Sequence, residues 1–246
     1  MTTRERLAAI AAREQVDAND WAFLLDALGA PTKAEQRSAA EAVAALGRKG
    51  HPIDALLERA LADEVPRRRW GAAYAWSLLG PVPEACLSVL LEAFGADDGD
   101  LRWAAATIVC ELGERPSVSG GLRALMGSAN GMQRKMALYC LRDLGIRPPG
   151  LEREVIAALD DPDPGVRLAA MSALAQLTAD PPAAARALAR RLDDVEPGVR
   201  RAAAATLGRV GAGDPPVIDA LRRARDGDDP ALARAAARAL VALEGA

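Results

Sequence analysis

Leu159-Asp160-Asp161-Pro162-Asp163-Pro164-Gly165-Val166-Arg167 opens a stretch that runs through an alanine-rich apolar segment to Leu177-Thr178. The pattern returns 33 residues on, at Leu192, with Asp193-Asp194, then Glu196-Pro197-Gly198-Val199-Arg200, and finally Val210-Gly211. Self-similarity at a fixed period of this size marks a stacked repeat, in which each unit buries its apolar face only against its neighbours.

Moved along the chain in steps of 32 or 33 residues, the unit keeps its register. Its first apolar mark falls at Leu28, Leu61, Phe94, Met126, Leu159 and Leu192, with Arg225 in the last copy. Four residues later comes a cap column of Thr32, Val65, Asp98, Asn130, Asp163, Glu196 and Asp229. Lys33, Pro66, Gly99, Gly131, Pro164, Pro197 and Pro230 follow directly. Asp or Asn before Pro starts a helix: the side chain accepts an orphan amide, and proline fits the first turn. The helix so begun carries alanine at 39, 72, 105, 137, 170, 203 and 236, then an apolar residue four on and another three further, ending at Leu46, Leu79, Leu112, Leu144, Leu177, Val210 and Leu243. Those spacings lie on one apolar stripe. A glycine follows at 47, 80, 113, 145 and 211, which predicts left-handed C-caps. The expected fold is an all-α solenoid of about seven helix pairs, at roughly 20–47, 51–80, 83–113, 117–145, 150–178, 182–211 and 215–244. An extra helix near Thr3–Gln15, within residues 1–19, is expected to cap the first pair, and Arg222, Arg223, Arg225, Arg234 and Arg238 to give the last pair a polar surface.

The chain resembles the HEAT repeat family in its short bacterial form. The resemblance rests on Asp63-x5-Arg69, Asp161-x5-Arg167 and Asp194-x5-Arg200, with Val166-Arg167 and Val199-Arg200 opening the second helix, and covers about residues 20–244. It implies that Arg69, Arg102, Arg134, Arg167 and Arg200 form an internal ladder, each joining the preceding aspartate (Asp63, Asp161, Asp194) and the neighbouring repeat. The aspartate position is Ala30, Ala96, Ser128 and Gly227 in other copies, and the arginine position is Gln36 and Ala233 at the two ends. Ankyrin repeats share the period but need a Thr-Pro-Leu-His turn, and the single histidine here is His51. Trp76-x2-Leu79-Gly80 mimics part of a tetratricopeptide motif, but Pro81 and Pro83 break the helix which that motif requires.

Composition narrows the chemistry. The formal net charge is −3, and both signs are spread along the chain, which argues against a nucleic-acid partner. Cys86, Cys110 and Cys140 lie within helical patterns and read as buried thiols in a reducing, cytoplasmic setting. One histidine and three scattered cysteines supply no metal-ligand cluster, so no metal and no cofactor are expected. No apolar run reaches the length of a membrane span, and no phosphate loop or catalytic constellation is present.

The second helices of HEAT folds line the concave surface, and the apolar stripe leaves two columns facing away from the core. One contains Trp70, Trp103 and Lys135; the other, one turn on, contains Tyr74 and Tyr139. Arg67 precedes them. Aromatics make up only 3% of the chain, yet these four fall on expected solvent-facing positions, which is the chemistry of interaction hot spots. Trp70, Tyr74, Trp103, Tyr139, Arg67 and Lys135 are therefore the candidate partner-binding residues. The expected function is a protein–protein interaction scaffold for another protein or peptide, with no catalytic residue, no membrane and no small-molecule substrate. The resemblance offers two alternatives. Related repeats in phycobilisome lyase subunits handle a tetrapyrrole, which an aromatic patch could stack. HEAT-like alkylpurine glycosylases use tryptophans and a carboxylate, loosely echoed by Trp70, Trp103, Tyr139 and Asp143, but need a basic groove for phosphates.

Overall fold

Helices occupy the places that the repeat columns assign them. The computed structural model describes residues 1–244, in which the α-helices are α1 (Thr3–Ala12), α2 (Ala18–Leu28), α3 (Lys33–Arg48), α4 (Asp54–Leu61), α5 (Pro66–Ser77), α6 (Leu87–Ala93), α7 (Gly99–Leu112), α8 (Pro116–Met126), α9 (Gly131–Leu144), α10 (Leu151–Ala157), α11 (Pro164–Leu177), α12 (Pro181–Ala189), α13 (Pro197–Val210), α14 (Pro215–Arg225) and α15 (Pro230–Glu244). Short 3₁₀ turns precede α6 and extend α10 and α12. The fold is all-α, of the α-solenoid class, with no strand among the described residues. It divides into two compact units, Met1–Gly113 and the part from Glu114 onward. The first holds α1 and three helix pairs; the second holds four pairs.

The second helix of every pair, α3 through α15 in alternate order, starts at the column expected for its first residue. Asp98, Asn130 and Asp163 accept amide hydrogen bonds as N-caps, and Thr32 does so for Glu35. Val65 and Glu196 make no side-chain cap. There the aspartate two residues earlier supplies the turn: Asp63 Oδ1 accepts from the Val65 amide at 2.9 Å, and Asp194 Oδ1 from the Glu196 amide at 3.0 Å. Thr2 and Glu5 form a capping box on α1, whose Leu7 and Ile10 enter the core of the first unit.

The alanine column is buried along its whole length. Ala39, Ala72, Ala105, Ala137, Ala170, Ala203 and Ala236 are all 0% exposed. In the first unit α3 packs on α1 and α5; in the second, α9, α11, α13 and α15 pack in sequence. Trp76, in the column that otherwise holds Val or Leu, is only half-buried, because an indole exceeds that slot. The glycine column also departs from expectation in the first unit. Gly113, Gly145 and Gly211 have positive φ, as C-caps require, but Gly47 lies inside α3 and the turn is made by Gly50 at φ 88°. A Cβ on Gly47 would lie 2.5 Å from Ile53 Cδ1, so packing rather than the turn demands glycine there. Cys86 and Cys140 are buried and Cys110 is half-buried.

The arginine ladder is built differently from the expectation. Arg167 Nη1 donates to the backbone carbonyls of Asp161 (2.9 Å) and Pro162 (3.3 Å), while Nη2 donates to the carboxylate of Asp194 in the next repeat (2.7 Å). Arg134 repeats this with the carbonyls of Ser128 and Ala129 and a two-pronged contact to Asp161, at 2.7 and 2.8 Å. Arg200 takes the carbonyls of Asp194 and Val195 and then Asp229. Each of these three guanidiniums thus meets the residue at the aspartate position (Asp161, Ser128 or Asp194) through its backbone carbonyl and the following repeat through a carboxylate. Where that following aspartate is replaced by Ala96, Arg69 grips Glu92 instead, at 2.6 and 2.8 Å. The Asp63 carboxylate pairs with Arg68, not Arg69. Arg102 donates to the Ala96 carbonyl at 2.5 Å. Buried Gln36 fills the arginine position of the first pair, donating to the carbonyls of Leu28 (2.9 Å) and Arg67 (2.6 Å).

Two predictions follow from this packing. A Cβ on Gly71 would lie 2.3 Å from the Leu28 carbonyl oxygen, whereas one on Gly120 of α8 meets nothing within 4 Å. In chemical denaturation Gly71→Ala is expected to destabilise by about 1–3 kcal/mol through overpacking, and Gly120→Ala to stabilise by about 0.5–1 kcal/mol through helix propensity. In the ladder, burial opposes ionisation of Asp161 and Asp194, but guanidinium and amide hydrogen bonds outweigh it and hold both carboxyls below their usual values. Folded values below unfolded ones stabilise the chain fully above about pH 4 and cease to do so as pH falls through the folded values. Arg167→Ala leaves the carboxylate of Asp194, whose side chain is 3% exposed, with only the Glu196 amide and a 3.8 Å approach of Arg191. The expected cost is about 3–5 kcal/mol at neutral pH, shrinking below about pH 3–4 as the carboxylate protonates; denaturant unfolding on both sides of that window measures it.

Candidate functional site

Equivalent starts for α5 and α7 place Trp70 and Trp103 on equivalent turns of their helices. Tyr74 lies one turn after Trp70, and the two rings stack with centroids 6.0 Å apart and planes 22° from parallel. Both are half-buried, and Tyr74 rests against the core of the first unit. The expectation of solvent-facing rings is corrected for these two. They border the apolar stripe, and a large ring there gains more by folding onto apolar neighbours than by standing in water. Trp103 does face solvent, at 52% exposed. Arg67, in the first turn of α5, is also exposed.

Between α3, α5 and α7 lies a notch of about 80 Å³, lined by Lys33, Gln36, Arg37, Trp70, Tyr74, Asp100, Leu101 and Ala104. Lys33 spans it from the start of α3: its Nζ lies 2.6 Å from Asp98 and 2.9 Å from Asp100, on the first turn of α7. Hydrogen bonds to Asp98 and Asp100 raise the Lys33 ammonium above its ordinary value, and the bond from Lys33 lowers the Asp98 carboxyl. The Lys33 side chain is 63% exposed. Exposed pairs of this kind are weak and screened by salt, so a competing charged group can displace this strap. The repeat columns marked neither Lys33 nor its two carboxylates as a set. Lys33 occupies a first-turn position and Asp98 a capping position, and both have local roles that conceal their pairing across two repeats.

In the second unit, Tyr139 is half-buried on α9, with the Arg142 guanidinium 5.0 Å from its ring centroid. Arg142 also donates to Ser172 on α11 and to Asp143, so the carboxylate that a glycosylase-like reading would use is held by its neighbour. Lys135 is half-buried and lies across Gly165 at the start of α11. Among the described residues, no group of three or more His, Cys, Asp or Glu is placed to hold a metal ion. Among the same residues, no helix is long and apolar enough to cross a membrane. Burial pushes the Cys86 thiol up to about 11, which suppresses the thiolate needed for nucleophilic chemistry.

The profile of HEAT repeats matches residues 119–197 and again 152–241, together half of the chain. No curated protein sequence matches it. Among solved structures, an engineered protein shares 19% identity over 99% of this chain and 79% of its own, with a TM-score of 0.52. A chain from the complex of Kap95p with RanGDP shares 11% identity over 96% of this chain and 43% of its own, with a TM-score of 0.54. At such identities these likenesses establish the fold.

The geometry separates the two indoles energetically. Trp103→Ala is expected to leave stability within about 0.5 kcal/mol of the natural chain, as surface changes do. Trp70→Ala removes a stacked, half-buried ring and is expected to cost about 1–3 kcal/mol. Equal melting shifts for the two variants would contradict this assignment.

Proposed function

Because the chain belongs to the HEAT repeat family, we propose that it is a protein-interaction scaffold whose first unit presents the α3–α5–α7 face to another protein or peptide. The observation that carries this reading is Trp103, a tryptophan 52% exposed on the helix that also walls the notch of Trp70 and Tyr74. An exposed indole on α7, a stacked aromatic pair in the notch with Arg37 and Asp100 on its wall, and exposed Arg67 on α5 supply the residue types that dominate protein-interaction energies. The size of the notch favours a polypeptide over an enclosed chromophore. It holds about 80 Å³, enough for part of a side chain, against roughly 300–1,000 Å³ for pockets that enclose small molecules. The binding of RanGDP by Kap95p agrees with the use of this fold for recognising proteins. The partner would displace the Lys33 strap, lay an apolar side chain against Trp103, and insert another beside Trp70. The buried Cys86 thiol suits a reducing, cytoplasmic setting.

Selection of a displayed peptide library on the immobilised chain, followed by titration of the selected peptides, tests this reading. Trp103→Ala, which spares the core, is expected to weaken binding by about 2 kcal/mol, roughly thirtyfold. Selected peptides that bind the Trp103→Ala chain with undiminished affinity would refute it.

A further inference from the structure

A segregation of charge in the second unit belongs neither to the ladder nor to the aromatic face. On the side of the first helices, arginines are interleaved with carboxylates: Arg186 meets Asp214 at 2.8 Å, Arg191 meets Asp160 at 2.9 Å, and Arg225 meets Asp226 at 2.7 Å. The outward face of α13 and α15 is different. Arg201, Arg234 and Arg238 are exposed there, and their guanidiniums make no ion pair or hydrogen bond among the described residues. Arg209, two turns beyond Arg201, is also exposed and donates only to the Thr206 hydroxyl. α13 contains no acidic residue, and the one in α15, Glu244, stands at its far end beside Arg222.

The repeat register brings these charges together. Arg201 and Arg234 hold equivalent positions in consecutive repeats, and α13 and α15 approach closely: a Cβ on Gly208 would lie 3.2 Å from the Ala239 Cα. Equivalent side chains on helices so packed start about 8 Å apart. Arg238 lies one turn from Arg234, about 6 Å along the same face. Like charges within a Debye length repel one another, so this cluster costs the free protein stability that a carboxylate in the row would restore. A polar surface on a terminal helix would require hydrophilic residues, not one sign of charge in register across two helices.

We propose that this face binds a short acidic polypeptide segment, whose Asp or Glu side chains pair with Arg201, Arg234 and Arg238. The planar guanidinium takes a carboxylate through two parallel hydrogen bonds, which a point charge cannot do. The cluster is about two helices wide and is flanked by Glu196 and Glu244, which cap its extent along the helix axes. That footprint matches a few carboxylates. A nucleic acid, which binds through a long track of phosphates, would meet those flanking acids. The site is independent of the first-unit face, so either can fail without the other.

Fluorescence anisotropy of a labelled octaglutamate peptide with the full chain tests the proposal. Saturable binding is expected, weakened by salt and reduced about tenfold or more in the triple variant Arg201→Gln, Arg234→Gln, Arg238→Gln. The double variant Arg153→Gln, Arg190→Gln removes two exposed charges elsewhere in the same unit and is expected to bind as the natural chain does. The single variants Arg201→Gln and Arg238→Gln, each expected to bind measurably less tightly, keep the test decisive should the triple variant melt early. Absence of peptide binding by the natural chain, equal losses in the triple and control variants, or tighter binding of a single-stranded oligonucleotide of matched charge would overturn it.

Discussion

One contact recurs where the first helix of a repeat gives way to the second, and the fold depends on it. The backbone carbonyls of a tight loop between two helices have no partner in either helix. At Arg69, Arg134, Arg167 and Arg200 a guanidinium from the second helix donates to two such loop carbonyls and, with its other nitrogens, to a carboxylate of the following repeat. Arg167 with Asp194 is the most enclosed instance, with side chains 8% and 3% exposed. A lysine could supply the charge, but not the fixed fork that meets carbonyls and carboxylate together. The contact holds the loop between the helices of a pair and, at Arg69, Arg134, Arg167 and Arg200, ties that pair to the next.

Its variations follow from the sequence in a chemically regular way. Arg134 and Arg167 find their carboxylates 27 residues on; where that position is Ala96 or Gly227, Arg69 and Arg200 reach to Glu92 and Asp229. Gln36 replaces guanidinium with an amide that still bridges two carbonyls, one in each of two consecutive repeats. Because these ties and the alanine column hold the backbone, the outward columns of the second helices are free to vary. They carry tryptophan in the first unit and unpartnered arginine in the second. The binding chemistry proposed for each unit lies in those columns.

Much of this was legible in the chain itself. The period, the Asp-Pro helix starts and the alanine stripe place the second helices to the residue at their N-termini, because capping and proline geometry are local and strong. Their C-termini were less legible: Gly47 obeys the packing of Ile53 and Leu79, a contact across a loop that no local pattern encodes. The ladder residues were legible as columns, but not the choice between adjacent arginines. Arg68 and Arg69 differ by one position, and only the turn of the helix sends the first to Asp63 and the second to Glu92. The aromatic residues were legible as unusual for their columns. That Trp70 and Tyr74 fold onto each other while Trp103 remains 52% exposed depends on the surface beneath each ring, which a column cannot show. The strap from Lys33 to Asp98 and Asp100 was hidden for a related reason, since it joins two residues whose local duties already explain them.

The claim that a buried guanidinium–carboxylate tie couples consecutive repeats is tested most directly by a double-mutant cycle on Arg167→Ala and Asp194→Ala, read by denaturant unfolding at neutral pH. Residues joined by such a tie are expected to show a coupling of about 1–3 kcal/mol, the double variant losing less than the sum of the singles. A coupling near zero, with the two losses simply adding, would contradict the account.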